Sequence, residues 1–129
     1  MKKILLIDDD YDLIRSFQVT LENQGFTTIT AKNGKEGYLI LLTEKPDLLV
    51  LDVMMDTDLE GYNFLHKIKK DPKFVDLPVI LLTGMVDQLG VNLYPGVEDE
   101  EMFPKVHFHD KPIDPIQLCT KIQKILEFE

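Results

Sequence analysis

Five polar residues stand directly after short apolar runs of this sequence, and together their side chains could carry out one reaction. Two acids, Asp8 and Asp9, follow the first run, and a third acid, Asp52, follows a later one. Thr83 and Lys111 follow two further runs. If these side chains meet, they offer three carboxylates, one hydroxyl group and one ammonium group to a single ligand.

The three carboxylates predict a site for a divalent cation. Carboxylates that lie close together repel each other unless they share a cation or one of them is protonated. Oxygen ligands with no neighbouring cysteine or histidine favour a hard cation, which indicates Mg²⁺ that keeps several of its waters.

The lysine and the threonine indicate that an anion also enters the site. A phosphoryl group fits, because the metal, the Lys111 ammonium and the Thr83 hydroxyl can together hold its oxygens during an in-line attack. A carboxylate can be the attacking nucleophile, in which case the product is an aspartyl phosphate.

The apolar runs alternate with helical patterns five times, which is typical of βα units. The predicted strands are residues 4–7, 26–31, 48–51, 79–82 and 106–110. Because these strands are almost continuously apolar, we expect a sheet covered on both faces, with parallel strands and right-handed crossovers. The predicted fold class is α/β, a (βα)5 doubly wound parallel five-stranded sheet. The carboxyl ends of its strands form the ligand crevice.

Local signals mark the predicted helices. Asp10 and Asn33 are the expected N-caps of the first two helices, and Gly25 is the expected stop of the first. The last helix is predicted to begin at Asp114-Pro115, an N-cap acid followed by a proline. Its predicted buried stripe consists of Ile116, Ile122, Ile125 and Leu126. Glycines and prolines interrupt residues 84–105, where we expect one short helix and a long irregular loop.

Composition narrows the class of protein. The chain has 129 residues, 14 of them basic and 23 acidic, and a formal net charge of −9, so we expect one domain spanning residues 1–129. The acidic balance argues against direct binding of nucleic acid. No apolar stretch is long enough for membrane insertion. The single Cys119 suits a reducing cytoplasm, and we expect it to be buried.

In order and spacing, the motifs resemble the receiver domains of two-component response regulators. The matching pieces are the strand into Asp8-Asp9, the strand into Asp52 with Gly61 beyond it, the Leu81-Leu82-Thr83-Gly84 run, and Lys111-Pro112. The key positions 9, 52, 83 and 111 are separated by 43, 31 and 28 residues. The likeness covers essentially the whole chain and implies the flavodoxin-like strand order 2-1-3-4-5, which chemotaxis receivers also have.

The resemblance also implies roles for the acids. Asp52 would be the phosphoacceptor. Asp8 and Asp9 would hold Mg²⁺ together with the Asp52 carboxylate and the backbone carbonyl of Met54. The protein would therefore be a phosphoacceptor switch rather than an enzyme, with at most self-catalysed phosphotransfer and autodephosphorylation.

Three further residues take roles from the same resemblance. Thr83 would hydrogen-bond one phosphoryl oxygen and Lys111 would pair with another. Phe108 matches the aromatic switch residue of the family. Movement of Thr83 toward the phosphoryl group would vacate space into which the Phe108 ring turns, and this would alter the surface around the last strand.

The resemblance names partners as well. A sensor histidine kinase or a phosphotransfer protein would supply the phosphoryl group. The last predicted helix uses the final residues, so we expect a stand-alone cytoplasmic receiver in a phosphorelay whose output is a separate protein. A homodimer is possible.

Two segments depart from the family pattern, and two alternatives stay open. Asp56 replaces the usual proline in a loop, residues 53–60, that is longer by one residue, and residues 84–105 are also longer than usual. A phosphorylation-independent interaction module is the main alternative. A haloacid-dehalogenase-like phosphatase is the other, but it normally has an acid two residues after its nucleophile, where this chain has Met54.

Overall fold

A computed structural model of the chain describes residues 2–52, 60–83, 104–110 and 113–127. In these ranges five strands alternate with helices. The strands are β1 (Lys3–Ile7), β2 (Thr27–Ala31), β3 (Leu48–Asp52), β4 (Val79–Thr83) and β5 (Val106–Asp110). The helices are α1 (Tyr11–Asn23), α2 (Gly34–Glu44), α3 (Glu60–Lys69) and α4 (Pro115–Glu127). The predicted alternation of strands and helices is confirmed.

The five strands form one parallel sheet in the order β2-β1-β3-β4-β5. This confirms the predicted (βα)5 doubly wound, flavodoxin-like arrangement. In the register of the sheet, Ile7 lies beside Leu51 and Asp52 lies beside Leu82. Parallel pairing therefore brings the ends of β1, β3 and β4 to one edge of the sheet, which we call the carboxyl edge.

Two hydrophobic clusters hold helices against the two faces of the sheet. One cluster packs α1 and α4 against alternate strand residues, and its members include Phe17, Leu118, Ile4 and Val50. The other packs α2 and α3 against the opposite face, and its members include Leu41, Leu65, Leu5 and Leu49. Because the strand side chains alternate between the faces, β1 and β3 are buried almost completely, as their continuous apolar runs predicted.

Short polar contacts end the helices where the sequence predicted. Asp10 accepts a hydrogen bond from the Leu13 N–H at 3.2 Å and caps α1, and Asn33 does the same for the Glu36 N–H at 2.8 Å and caps α2. After α1 the chain turns at Gly25, whose φ of 94° is a conformation that favours glycine. These caps set where each helix leaves the carboxyl edge or returns from it.

One prediction about α4 is wrong. Ile116, expected in the buried stripe, is 68% exposed. The buried residues of this helix are Leu118, Cys119 and Ile122, with Ile125 and Leu126 half-buried. Ile116 lies about 120° of helix rotation from Ile122, so it points away from that stripe. Cys119 is buried as predicted, and burial raises the pKa of its thiol. The helix and loop predicted within residues 84–105 lie outside the described residues, apart from 104–105.

A buried lysine organises the turn between α3 and β4. Lys69 is only 4% exposed, and its ammonium group donates to the backbone carbonyls of Val75 at 3.2 Å and Leu77 at 2.5 Å. Before this segment, the Lys73 N–H donates to the Asp71 carboxylate at 2.9 Å and lowers the pKa of that carboxyl. The turn is therefore held by charge-assisted hydrogen bonds at both its start and its end.

We predict that Lys69→Met lowers the free energy of unfolding by about 1.5–3 kcal/mol, because it removes a charged donor from two carbonyls. Urea unfolding measures the change. Lys70→Met is the matched control, since Lys70 is the exposed neighbour, and it is expected to change stability by less than about 0.5 kcal/mol. Equal stabilities of the two variants would contradict the role given to Lys69.

Candidate metal centre

Three acids meet at the carboxyl edge. Asp8 follows β1 directly and Asp52 is the last residue of β3, the neighbouring strand. Asp8 is 5% exposed and Asp52 is 2% exposed, whereas Asp9 lies at the surface. One carboxylate oxygen from each of the three lies within 4.8 Å of the other two. The structure therefore brings together the three acids that the sequence singled out.

Local hydrogen bonds give the three consecutive acids different positions. The backbone N–H of Asp8 donates to the Ala31 carbonyl at 3.1 Å, which continues the pairing with β2. One carboxylate oxygen of Asp8 accepts from the Asp10 N–H at 2.9 Å. Asp10 itself caps α1, so it is directed toward the helix, while Asp8 is held inward and Asp9 forms the exposed rim.

The donor set fits Mg²⁺. All three candidate ligands are carboxylate oxygens, which suit a hard cation, and no histidine or cysteine belongs to the cluster among the described residues. Two of the three carboxylates are buried, so solvent screens their mutual repulsion weakly. Asp8, Asp9 and Asp52 would hold the ion, which would relieve this repulsion and offer positive charge to an incoming anion.

The other predicted site residues are only partly described. Thr83 is the last residue of β4, one position beyond the Leu82 that pairs with Asp52, so its backbone lies at the same edge. The Thr83 side chain, Lys111 and Met54 lie outside the described part of the chain. Their roles remain predictions.

Phe108, the predicted switch residue, lies on β5 at the edge of the sheet. Its side chain is 38% exposed and its strand partner is Leu81. The Phe108 carbonyl accepts a hydrogen bond from the Lys121 ammonium group of α4 at 2.6 Å. This ammonium also lies 3.4 Å from Nδ1 of His109. Sequence reasoning missed Lys121, because only the packing of α4 beside β5 gives it a partner there.

A small cavity adjoins the acids on the β2 side, and the sequence did not predict it. Its volume is about 270 Å³, and besides Asp8 and Asp9 it is lined by Tyr11, Thr30, Lys32 and Glu36, among others. Lys32 directly follows β2, so the rule that identified Asp8 and Asp52 as strand-end residues could also have identified Lys32. The site is thus wider than the five residues first singled out.

Comparison with known proteins identifies the family. A family model of the response regulator receiver domain matches residues 4–123. The chain therefore belongs to the receiver domain family of response regulators, which are components of two-component phosphorelay systems.

Curated relatives match almost the whole chain. The probable transcriptional regulator ycf27 of Porphyra purpurea is 35% identical over 127 residues, which are 97% of this chain and 47% of that protein. The alkaline phosphatase synthesis transcriptional regulatory protein PhoP of Bacillus subtilis is 32% identical over 129 residues, covering 97% and 48%. An uncharacterized 14.6 kDa protein of Leptolyngbya boryana is 33% identical, covering 94% and 87%. The chain thus spans about half the length of the two named regulators.

Solved structures agree. The receiver domain of a signal transduction histidine kinase from Syntrophus aciditrophicus has a TM-score of 0.81 and 26% identity, with 99% of this chain and 92% of that chain covered. The chemotaxis response regulator CheY4 of Vibrio cholerae has a TM-score of 0.78 over 97% of this chain and 98% of that one, and at 21% identity this likeness shows the fold alone. Among the described helices, none has the length and apolar character needed to cross a membrane.

We predict that Mg²⁺ raises the melting temperature, because it binds the folded protein and not the unfolded chain. Asp9→Asn and Asp52→Asn should each weaken binding roughly tenfold or more, which isothermal titration would measure as a change in Kd. With EDTA present, the same variants should melt at a higher temperature than wild type, since each removes one of three repelling charges.

Asp10→Asn is the control for both effects. It removes a charge from the adjacent residue and keeps an N-cap oxygen for α1. If all three variants bound Mg²⁺ equally well, the cluster would not be the metal centre.

Proposed function

We propose that this receiver domain is a Mg²⁺-dependent phosphorylation switch that takes a phosphoryl group on Asp52 from a histidine kinase or a phosphotransfer protein. The observation that carries the proposal is the meeting of Asp8, Asp9 and Asp52 within 4.8 Å at the carboxyl edge of a receiver-family chain. A buried acidic cluster in a chain of this family supports phosphoacceptance more directly than any other activity.

In the proposed reaction a carboxylate oxygen of Asp52 attacks the phosphorus of a phosphohistidine. The new O–P bond forms as the P–N bond breaks, and the leaving imidazole ends neutral with one ring nitrogen protonated. Asp52 is suited to this role because it is 2% exposed and ends a strand paired on both sides, so its position is restricted. Bound Mg²⁺ would neutralise charge on the transferred oxygens.

The remaining roles follow the family pattern. Thr83 and Lys111 would each hold a phosphoryl oxygen, and the Met54 carbonyl would complete the metal ligands. Phe108 would respond to movement of Thr83. Its half-exposed ring and its place on β5 beside β4 support this, because Thr83 lies only two residues beyond the strand partner of Phe108. Turning of this ring would change the surface of β5.

We further propose that the phosphodonor contacts the exposed apolar residues beside the site. Tyr11, at the start of α1, is 74% exposed, and Ile116, near the start of α4, is 68% exposed. Both helices pack on the same face of the sheet and begin at the carboxyl edge. Large apolar side chains exposed beside a reactive group are typical of a contact surface for another protein.

We also propose that the protein acts in the cytoplasm and passes its signal to a separate output protein. A cytoplasmic location would bring it to the kinase domains that supply the phosphoryl group. The 14.6 kDa relative from Leptolyngbya boryana, of which this chain covers 87%, supports receivers of about this length acting without a fused output domain.

Incubation with Mg²⁺ and acetyl phosphate tests the switch. We expect one phosphoryl group per chain, mapped to Asp52 by peptide mass spectrometry, and none in Asp52→Asn or in the presence of EDTA. Asp10→Asn should be labelled like wild type. Label on another residue would contradict the mechanism, and no label at all would favour a phosphorylation-independent interaction module.

The docking surface is tested with protein donors. Phosphorylated sensor kinases of the source organism are screened for transfer to wild type, and the fastest donor is kept. With that donor, Tyr11→Ala and Ile116→Ala should each lower the transfer rate about tenfold, whereas labelling by acetyl phosphate should not change. Val19→Ala, which alters another exposed residue of α1, is the control. Equal loss with both kinds of donor would show damage to the site rather than to docking.

A further inference from the structure

A second and larger cavity lies at the opposite edge of the sheet, away from the acids. Its volume is about 610 Å³, within the range of small-molecule sites. The end of α2 forms one wall, and the turn between α3 and β4 forms the other. Pro46 and Pro78, just before β3 and β4, also line it. The cavity and the acidic cluster are therefore separated by the full length of these two strands.

The inner surface of this cavity is apolar. Leu41 is fully buried and Phe74 is 8% exposed, and both line the cavity beside the half-buried Leu77. Leu42 is 39% exposed and lies at the mouth. An apolar ring or branched chain placed here would remove its own surface and that of these side chains from water.

The walls are built before any ligand arrives. Lys69 holds the carbonyls of Val75 and Leu77, and so positions the Leu77 side of the cavity. The Phe74 ring meets the Tyr38 ring edge-on, with 6.0 Å between centroids. The Tyr38 hydroxyl donates to Asp71 at 3.2 Å. Because these contacts already order the wall, binding would cost little conformational entropy.

The charges at the mouth favour an anion. Lys45 lines the cavity and, within the described part of the chain, its ammonium makes no hydrogen bond or ion pair. Lys73 also lines it, is 66% exposed, and approaches Asp71 only to 3.9 Å. Of the two acids at the mouth, Asp47 already accepts the Lys3 N–H at 2.8 Å. The other, Asp76, would direct an anionic group toward the lysines.

We propose that this cavity binds a small amphipathic organic anion, with an apolar ring or branched body against Leu41, Phe74 and Leu77 and one carboxylate paired with Lys45 and Lys73. The site is additional to the phosphorylation switch. It lies at the other edge of the sheet, so occupancy of one site does not block the other.

The probe is 2-naphthoate, titrated into the full chain and followed by isothermal titration and by amide chemical shifts. We expect a Kd on the order of 1 mM or below. Shift changes should concentrate at residues 41–47 and 73–78. The neutral analogue 2-naphthamide should bind at least tenfold more weakly, and acetate should produce no shift changes there. Equal binding of the acid and the amide, or shifts elsewhere in the chain, would overturn the proposal.

Paired variants locate the site. Leu42→Asp places a negative charge at the mouth and should weaken naphthoate binding at least tenfold. Leu39→Asp changes another exposed leucine of α2 that does not line the cavity, and it should have no effect. Lys45→Ala combined with Lys73→Ala should also weaken binding at least tenfold, with Lys35→Ala as the control. Equal effects of a variant and its control would reject the site. None of these measurements depends on Asp52 phosphorylation, so the two proposals can fail separately.

Discussion

Repulsion among three carboxylates is the constraint on which the functional edge of this protein depends. Asp8 and Asp52 are almost completely buried, and Asp9 brings a third oxygen within 4.8 Å of theirs. Such a cluster stabilises nothing by itself, because each charge raises the free energy of the others. It persists because the strands that carry the acids are held rigidly by their neighbours, and a divalent cation turns the same repulsion into binding energy.

The rigidity comes from the two faces of the sheet. Strands β1 and β3 are adjacent and central, and their side chains enter both hydrophobic clusters. Because the register places Ile7 beside Leu51, neither Asp8 nor Asp52 can shift along the strand without moving apolar residues out of the core. Hydrophobic packing therefore supports a charge arrangement that would otherwise separate.

The two edges of the sheet have different character. At the carboxyl edge, acids converge beside exposed Tyr11 and Ile116. At the other edge, an apolar cavity opens between two lysines, with walls ordered by the buried Lys69. Strands β3 and β4 run from one edge to the other. A receiver of this construction has one surface suited to phosphoryl chemistry and a separate concave surface suited to an apolar anion.

Strand and helix positions, their alternation, the N-caps at Asp10 and Asn33 and the acids at strand ends could all be predicted from the sequence, because each depends on neighbouring residues along the chain. Apolar runs specify buried parallel strands, and capping side chains act within three residues. The parallel ordering of strands, with the family resemblance, was then enough to predict that Asp8, Asp9 and Asp52 meet.

Other features required the tertiary structure, because they arise between segments far apart in the chain. Ile116 satisfied an apolar pattern, yet the packing of α4 on α1 chose a different stripe and left it exposed. Lys121 finds its acceptor thirteen residues earlier, and Lys69 is buried only because the turn after α3 folds back over it. Local chemistry decides which element a residue joins. Only the packing of distant elements decides which of its faces is covered and which partner it meets.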